Sequence, residues 1–533
     1  MSVWKRNLPR RAFLVFLAPL VSLLPARAFA AVEIGLNFTG STLGIESGYV
    51  PPDCNGAAGP NHYVEFINGR FSVYAKPGAA RVLTLTDKGF WTRAGLTFGS
   101  GISVTDPRIL YDPSAQRWFA SAIDFNSSAQ SSNRFLLAVS TGADPTASWR
   151  AVAFPVDPAQ GNFGDFPTLG LDANGVYLGA YVFSRMTGNG LGVTLVSIPK
   201  ARLLANPPVA TNRTWFGILS TSSRGFILQP AVNFDGSAGD ARILAVGSLG
   251  LDFNAHSTLV SSSLQDAAGP ASATLTAATT ISVSPYTVPI NPAQPDGSTS
   301  LDDGDARISA TVYQAGGILY AVHGVEISSR AAIRWYKINA ANNAVLQSGT
   351  IADSNLNLFY PSIAANPSGT VVIAFNGCSM TTFISSYAVV GETQNGLTTF
   401  GNLLLLRAGE FSYKNLDRDC VSRWGDYSST CVDPADPHRF WTIQMYPSGT
   451  RAWSTQITEL LTSMPQLSIA RAGDKLIVSW PGTVTEFNLE SSPNLRSTSN
   501  WTRVLQSLST NNGRTEIQLP LPAGANFFRL HKP

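Results

Sequence analysis

An acidic residue opens a short motif that recurs along this chain of 533 residues, and arginine or tyrosine follows it closely in several copies. Carboxylate oxygens are ligands that suit Ca²⁺, and carboxylate pairs beside arginines suit the binding or cleavage of a sugar acid. The pattern requires no cofactor, and Ca²⁺ is the ion that it would suit. The candidate ligand-binding residues are Asp106, Arg108, Asp165, Asp305, Arg307, Asp426 and Tyr427.

A structural role is the alternative for the same residues. An Asp at the start of a strand can accept hydrogen bonds from backbone N–H groups, and an Asp-x-Arg sequence can form an internal salt bridge. A catalytic residue is needed once, whereas a packing device is needed in every repeat. Recurrence therefore favours the structural role over a catalytic one.

The repeat itself predicts the fold. Strand-like sequence fills every unit, and the residues that close the seven copies are 51 to 78 positions apart. This spacing is typical of a β-propeller, in which four-stranded blades surround a channel lined by their first strands. We therefore predict an all-β protein with a seven-bladed propeller over residues 31–464. The residues that open the copies of the motif, Asp53 included, should form a ring around one mouth of the channel. The copies are TDPRILYD (105–112), GDFPTLGLD (164–172), GDARISATVY (304–313), WGDYSSTCVD (424–433), and the looser PPDCNGAAGPN (51–61), ILQPAVNFD (227–235) and FYPSIAAN (359–366).

The first thirty residues form an export signal. Basic residues up to Arg11 precede the apolar run AFLVFLAPLVSLL, and Ala28-Phe29-Ala30 offers a cleavage site after Ala30. Arg10-Arg11 resembles the start of a twin-arginine signal, so that route and the general secretory route both stay open. We expect a secreted or periplasmic protein.

Removal of the leader changes the charge balance. Five of the 37 basic residues lie in the leader, which leaves 32 against 34 acidic residues. A nucleic-acid partner needs a basic surface, so none is expected. No later stretch of 18 apolar residues exists, so we expect no membrane span after signal removal. We also expect a monomer.

The four cysteines, Cys54, Cys378, Cys420 and Cys431, have no CxxC spacing. In an oxidising compartment, disulfide pairing is a better account than metal binding. The separation of eleven residues favours a Cys420–Cys431 disulfide, while a bridge from Cys54 to the seventh copy is the alternative. The sequence does not choose among the three connectivities.

Two segments stand apart from the repeats. Residues 262–301 are rich in Ser, Thr, Ala and Pro and predict a long irregular loop on one rim. Residues 465–533 contain about six short strands, enough for a small C-terminal β-sandwich. LIVSWP (476–481), LESSPNL (489–495), Trp501 and FFRL (527–530) resemble a C-terminal module of large secreted bacterial proteins. The resemblance favours a stabilising appendage over a dedicated glycan-binding module.

The propeller region also resembles a known group. PPDCNGAAGPNHYVEFING (51–69), DPRILYDPSAQRW (106–118), DFPTLGLD (165–172) and RWGDYSSTCVDP (423–434) are similar to uncharacterised secreted bacterial propellers that are sialidase-like by fold only. That group implies no settled activity. A sialidase would carry several Ser-x-Asp-x-Gly-x-Thr-Trp turns, and the chain has only a degenerate copy, STNNGRT (509–515), outside the propeller.

Two function classes follow. The first is a secreted binding or scaffold protein that engages polysaccharide or a cell-surface glycan, and the second is a glycoside hydrolase or polysaccharide lyase at the channel mouth. No single-copy catalytic group stands out, because His62 and His323 lie in strand patterns where a core histidine is the commoner case, and no GxSxG motif occurs. The sequence therefore favours the binding class.

Overall fold

The computed structural model describes residues 32–126, 133–236, 239–269, 272–298, 301–416, 421–462, 467–481, 488–494, 501–511, 514–522 and 524–531. The predicted leader and Cys420 lie outside these ranges. Strands dominate the described residues because β-branched and aromatic residues alternate between Gly, Pro and Asn turns.

Three blades follow one another in the first part of the chain. Consecutive strands pair antiparallel, so β2–β5, β6–β9 and β10–β13 each form one four-stranded sheet. The strands are β1 (Glu33–Thr42), β2 (Asn55–Ala58), β3 (His62–Ile67), β4 (Arg70–Ala75), β5 (Arg81–Leu85), β6 (Ile102–Asp112), β7 (Arg117–Asn126), β8 (Arg134–Ser140), β9 (Trp149–Pro155), β10 (Phe163–Leu171), β11 (Gly175–Phe183), β12 (Gly190–Pro199) and β13 (Thr214–Leu219).

Three further sheets continue the ring. The fourth contains β14 and β16–β19, the fifth β15 and β20–β23, and the sixth β24–β28. Their strands are β14 (Phe226–Pro230), β15 (Val232–Asn233), β16 (Ala241–Val246), β17 (His256–Gln265), β18 (Thr274–Leu275), β19 (Thr279–Tyr286), β20 (Tyr313–Ala315), β21 (Ile318–Ile327), β22 (Arg330–Asn339), β23 (Val345–Ile351), β24 (Asn357–Ala365), β25 (Val371–Ser379), β26 (Thr382–Gln394), β27 (Leu397–Phe400) and β28 (Leu404–Arg407).

The seventh blade joins the two ends of the propeller. It consists of β29 (Ser429–Val432), β30 (Arg439–Gly449) and β31 (Ala452–Leu461), and β1 adds the outer strand by pairing antiparallel with β31. The inner strand β2 lies beside both β6 and β29, so the ring is closed. The predicted seven-bladed propeller is confirmed.

Helices are short in the described part of the chain. They are α1 (Asp87–Arg93), α2 (Lys200–Leu203) and α3 (Thr221–Arg224), with a 3₁₀ turn at Pro77–Ala79. The Thr86 hydroxyl caps α1 by accepting from the N–H of Gly89 at 3.0 Å. Among the residues described, no helix has the length and apolar character needed to cross a membrane.

The residues that close the repeat are structural. The carboxylates of Asp112, Asp172 and Asp433 each accept a backbone N–H from two residues further on, at 2.7 to 2.9 Å, which fixes the turn into the second strand. Lysines of other blades reach two of these carboxylates, since Lys200 Nζ lies 2.8 Å from Asp112 and Lys76 Nζ lies 2.5 Å from Asp433. The closing Asp thus ties blades together.

Two sequence predictions about local structure were wrong in part. The loop predicted over residues 262–301 is interrupted by strands, because β17 extends to Gln265 and both β18 and β19 pair with it, while the other described residues of the segment lie outside strands. The alternation of Ile281 and Val283 with serines makes β19 an ordinary strand within a Ser- and Thr-rich composition. Conversely, residues 304–312 of the third clear copy form no strand, since Asp305 accepts from the backbone N–H of Arg307 at 2.9 Å and competes with strand pairing.

The C-terminal residues form two sheets of their own. One is β32 (Ser468–Ala472), β33 (Lys475–Pro481), β36 (Ser509–Asn511) and β37 (Arg514–Pro520), and the other is β34 (Asn488–Ser492), β35 (Thr502–Arg503) and β38 (Phe527–His531). Val478, Trp480 and Ile517 from the first sheet share a core with Leu489 from the second. The predicted small sandwich is confirmed, while its proposed start at residue 465 lies outside the described residues.

Candidate ligand-binding site at one mouth of the channel

The inner strands carry a repeated backbone irregularity near their first residues. Asp53, Asp106, Phe166, Ile227 and Tyr360 all have φ between 48° and 57°, and the strand register shifts at the last four of them. Such bulges bend a strand and re-aim its side chains. Asp165 lies one residue before the bulge position that Asp106 occupies. The two carboxylates are therefore not equivalent, although the sequence pattern had placed them at the same point of the repeat.

Arg108 ties several blades together inside the channel. Only 4% of the residue is exposed, its Nε donates to the carbonyl of Pro167 at 3.1 Å, and its Nη1 donates to the carbonyl of Ser309 at 3.2 Å. The guanidinium lies 3.4 Å from the ring centroid of Tyr427, whose hydroxyl donates to the carbonyl of Pro107 at 3.0 Å. Blades two, three, five and seven thus meet at one cation.

Two buried carboxylates, Asp53 and Asp106, lie at the same mouth of the channel. Asp106 Oδ2 accepts from the N–H of Phe166 at 3.2 Å, and Asp53 Oδ1 accepts from the N–H of Asp426 at 3.3 Å. Burial raises the pKa of both carboxyl groups, and the charge of Asp426 raises them further. Each carboxylate bonds to the backbone of a different blade, so the structural alternative describes Asp53 and Asp106 well.

A pocket of ≈ 360 Å³ opens at this mouth. Five carboxylates and two guanidinium groups face it, together with two aromatic rings and a few small residues. The pocket contains four of the seven predicted ligand-binding residues, whereas Asp106, Arg108 and Tyr427 lie outside its lining. The lining residues are Asp165, Phe166, Leu251, Asp302, Asp303, Gly304, Asp305, Arg307, Ser309, Gly324, Tyr360, Pro361, Arg423 and Asp426.

Arg307 forms a bidentate pair at one wall of the pocket. Its Nε and Nη2 lie 2.8 and 2.7 Å from the two carboxylate oxygens of Asp305. The guanidinium carbon also lies 4.5 Å from the ring centroid of Phe166. The pair is therefore held in one orientation, with the ring beneath it.

Arg423 bridges two other carboxylates of the pocket wall. Its Nη1 lies 2.6 Å from Asp302 Oδ2 and its Nη2 lies 2.5 Å from Asp426 Oδ1. The hydroxyl of Tyr360 donates to Asp302 Oδ1 at 3.2 Å. Arg423 and Asp302 were missed as candidates, because their pairing joins residues 121 positions apart.

Gly425 lets Asp426 reach this wall. Its φ is +88°, and a Cβ there would lie 2.0 Å from the ring of Tyr360. Any larger residue would collide with that buried ring, so the close approach requires glycine.

Two carboxyl groups of the pocket have no ion pair among the described contacts, Asp165 and Asp303. The pKa of Asp165 is raised to about 7 by burial and by the charges of Asp106 and Asp426. Asp303 is 3% exposed, its Oδ2 has no hydrogen-bond partner among the described residues, and burial followed by the charge of Asp302 raises its pKa well above the usual value. Both groups favour the protonated form when nothing positive is near.

The Ca²⁺ alternative receives no support from the geometry. Ca²⁺ takes six to eight oxygen ligands, yet the described residues contain no group of three or more His, Cys, Asp or Glu placed to hold a metal ion. Three of the pocket carboxylates are already paired with arginine. Ca²⁺ binding therefore stays a prediction from the sequence.

The remaining candidates are structural. His323 is fully buried, and its Nε2 lies 3.0 Å from the hydroxyl of Tyr336. Burial lowers its pKa to about 3, so it stays neutral in the core. Cys54, Cys378 and Cys431 are buried, and no disulfide joins any two of these three residues. Since Cys420 is outside the described residues, the Cys420–Cys431 pair stays a prediction.

The other mouth of the channel holds a smaller pocket of ≈ 220 Å³. It is lined mainly by tyrosine, proline and alanine at the closing ends of the inner strands, with Asp235 and Asp433 at its edge. The two mouths therefore differ in chemistry, and charge is concentrated at the first.

No protein-family model matches the chain, and no curated protein matches it. Among solved structures, a Trypanosoma rangeli sialidase aligns with 92% of this chain and 89% of its own, at 8% identity and a TM-score of 0.36. The extracellular domains 1–2 of Drosophila semaphorin 1b align over 81% and 88%, at 8% identity and 0.36. A Dyadobacter fermentans protein of unknown function aligns over 69% and 96%, at 10% identity and 0.37.

Proposed function

We propose that this protein is an exported β-propeller that binds carbohydrate in the pocket lined by Asp165, Asp303, Arg307 and Asp426. The observation that carries the proposal is the interleaving of carboxylate acceptors and guanidinium donors around a pocket of ≈ 360 Å³. Sugar hydroxyls both donate and accept, so a ligand of this kind can satisfy both sets at once. The volume lies in the range of small-molecule pockets.

The aromatic residues support the same proposal. The rings of Phe166 and Tyr360 line the pocket between the charged groups. A pyranose has polar edges and an apolar face, and an aromatic ring offers that face a contact surface. Rings held by neighbouring arginine and carboxylate groups lose little entropy on binding.

An acidic sugar fits this pocket poorly. Arg307 is paired with Asp305, and Arg423 with Asp302 and Asp426, so neither guanidinium is free to neutralise a ligand carboxylate. Even with Asp165 and Asp303 protonated, three carboxylates against two guanidinium groups leave a negative charge that repels an anion. The sequence suggested a sugar acid as one possible ligand. We propose a neutral or basic sugar instead.

A glycoside hydrolase is the second candidate, and one observation favours it. Asp165 has a pKa raised to about 7 by burial and by two neighbouring carboxylates, so it can hold a proton near neutral pH. A carboxylic acid in that state can protonate a leaving group, as glycoside hydrolysis requires. Asp426, paired with Arg423, would be the second carboxylate.

The proposal predicts that Asp165→Asn weakens glycan binding by about 10-fold or more, because a charge-assisted hydrogen bond contributes roughly 1.5–3 kcal/mol. A glycan array with residues 31–533 identifies the ligand, and calorimetric titration of both proteins measures the loss. Asp235→Asn makes the same chemical change at the opposite mouth and should leave affinity unchanged.

The same experiment separates binding from catalysis. New reducing ends released from the bound glycan by the wild-type protein, and absent with Asp165→Asn, would identify a hydrolase. Equal affinities for the wild-type protein and Asp165→Asn, or no glycan bound at all, would overturn the proposed site.

A further inference from the structure

One carboxylate oxygen of Asp303, in the wall of the pocket, lacks a hydrogen-bond donor within the described part of the chain. The residue is 3% exposed and lines the pocket, and its Oδ2 has no partner among the described residues. Its other oxygen is satisfied, because the Asn291 amide, in the orientation that completes its own hydrogen bonds, donates to Oδ1 at 3.1 Å. Within the described residues, Oδ2 lacks a partner whether or not it carries the proton that the raised pKa of Asp303 favours, so a cationic ligand that donates to Oδ2 supplies the missing bond and stabilises the carboxylate.

The surroundings of Asp303 are negative. Asp302 and Asp305 are the charged groups that act on its titration, and both oppose its ionisation. The arginines of the pocket are committed to other carboxylates, Arg307 to Asp305 and Arg423 to Asp302 and Asp426. Even with Asp165 and Asp303 protonated, the pocket holds three carboxylates against two guanidinium groups, and a bound cation favours ionisation of those two groups as well. A cationic donor fits this field better than a neutral hydroxyl.

The other walls of the pocket set the shape of the ligand. Arg307 and Arg423 line the pocket and can donate from N–H groups beyond those in their ion pairs, while Phe166, Tyr360 and Leu251 offer apolar surface. A lysine side chain would bring an ammonium group, but its methylene stem would offer no acceptor to these remaining N–H groups. A sugar ring brings hydroxyl acceptors and an amine on one scaffold.

Resting on the proposed carbohydrate function, we infer that the pocket selects an amino sugar, whose protonated amine donates to Asp303 Oδ2 while its hydroxyl groups accept from Arg307 and Arg423. An ammonium group supplies three donors and one positive charge. It thus meets the unpartnered oxygen and the excess of carboxylates together. The N-acetylated form of the same sugar keeps the hydroxyl groups but lacks the charge.

Calorimetric titration of residues 31–533 with matched oligosaccharides tests the inference. The probes are glucosamine and galactosamine oligomers, their N-acetylated counterparts and oligolysine of similar length. We expect one amino oligomer to bind about 10-fold or more tightly than its N-acetylated counterpart, and this preference to fall as salt is raised. Binding should also release protons, seen as a dependence of the heat on buffer, because a nearby cation lowers the pKa of raised carboxyl groups such as Asp165 and Asp303.

Asp303→Asn is the variant that isolates the proposed contact. It should lose the preference for the amino oligomer by about the same 10-fold factor and leave binding of the N-acetylated form unchanged. Asp235→Asn, at the opposite mouth, is the matched control and should retain the preference. If the Asp303→Asn variant does not fold, the comparison of ligands on the wild-type protein still decides the question.

Each outcome has a distinct meaning. Equal or tighter binding of the N-acetylated forms would overturn the amino-sugar inference and leave carbohydrate binding intact. Binding of oligolysine without any sugar would overturn it in favour of a basic peptide. Absence of binding to all these probes would contradict the inference, and the glycan array then decides the proposed function separately.

Discussion

Two similar Asp-x-Arg sequences make different contacts in this molecule. In the second blade, Arg108 is buried and lies against Tyr427 at 3.4 Å, while Asp106 bonds to the backbone of the third blade. In the fifth blade, Asp305 and Arg307 pair with each other and line the pocket. The difference follows from backbone position, since Asp106 sits at a strand bulge and Asp305 precedes its strand. Residue type alone did not distinguish the buried pair, Asp106 and Arg108, from the pair that lines the pocket.

The raised pKa of Asp165 predicts that the stability of the fold depends on pH. Its pKa in the folded protein is raised to about 7, above its ordinary value of 3.8. The folded state therefore holds the proton more tightly than the unfolded state, so this group stabilises the fold most below about pH 4 and that contribution is lost as pH rises through about 7. Denaturant unfolding of the wild-type protein and Asp165→Asn should show that the wild type loses more stability over this interval. Parallel pH profiles would contradict the assignment.

At the scale of elements, the repeat was sufficient to predict seven blades because every inner strand must line the same channel and end in the same kind of turn. The closing residues Asp112, Asp172 and Asp433 fix those turns, and their recurrence made the repeat recognisable in the sequence. Two features of the pocket could not be predicted from the sequence. The bulge at Phe166 shifts Asp165 by one residue, and the pairing of Arg423 with Asp302 joins distant segments, so both depend on tertiary geometry rather than local pattern.

One buried carboxylate, Glu65, links the first and last blades. Glu65 accepts from the N–H and hydroxyl of Ser41 at 3.1 and 2.8 Å, from Thr455 at 2.5 Å and from Tyr74 at 2.9 Å. Ser41 belongs to β1 and Thr455 to β31, so the carboxylate joins the two strands that close the ring to β3 of the first blade.

Glu65→Ala should therefore reduce the free energy of unfolding by about 3 kcal/mol or more, because several buried donors lose their acceptor. Chemical denaturation measures the loss. Glu410→Ala is the control, since Glu410 is an exposed partner of Arg407 and surface pairs contribute about 0–1 kcal/mol. Similar losses for the two variants would show that the carboxylate does not hold the ring closed.

At the scale of the whole molecule, the propeller and the C-terminal sandwich have separate cores. Charge is concentrated at one channel mouth, whereas the opposite mouth is lined mainly by tyrosine, proline and alanine. The sandwich core contains Val478, Trp480, Leu489, Ile517 and Leu519, all of them beyond the last blade. Since β1 closes the ring by pairing with β31, the propeller needs no strand from the sandwich.

A chain that ends at Thr462 should therefore keep a folded propeller and an unchanged ligand affinity, because every residue of the pocket and of the closing strands is retained. Calorimetric melting should show loss of the transition that belongs to the sandwich, with the propeller transition preserved, as expected for domains with separate cores. Titration of the shortened and full-length proteins with the same glycan checks the affinity. Weaker binding by the shortened protein would mean that the sandwich contributes to recognition, and failure of the propeller to fold would mean that the two cores depend on each other.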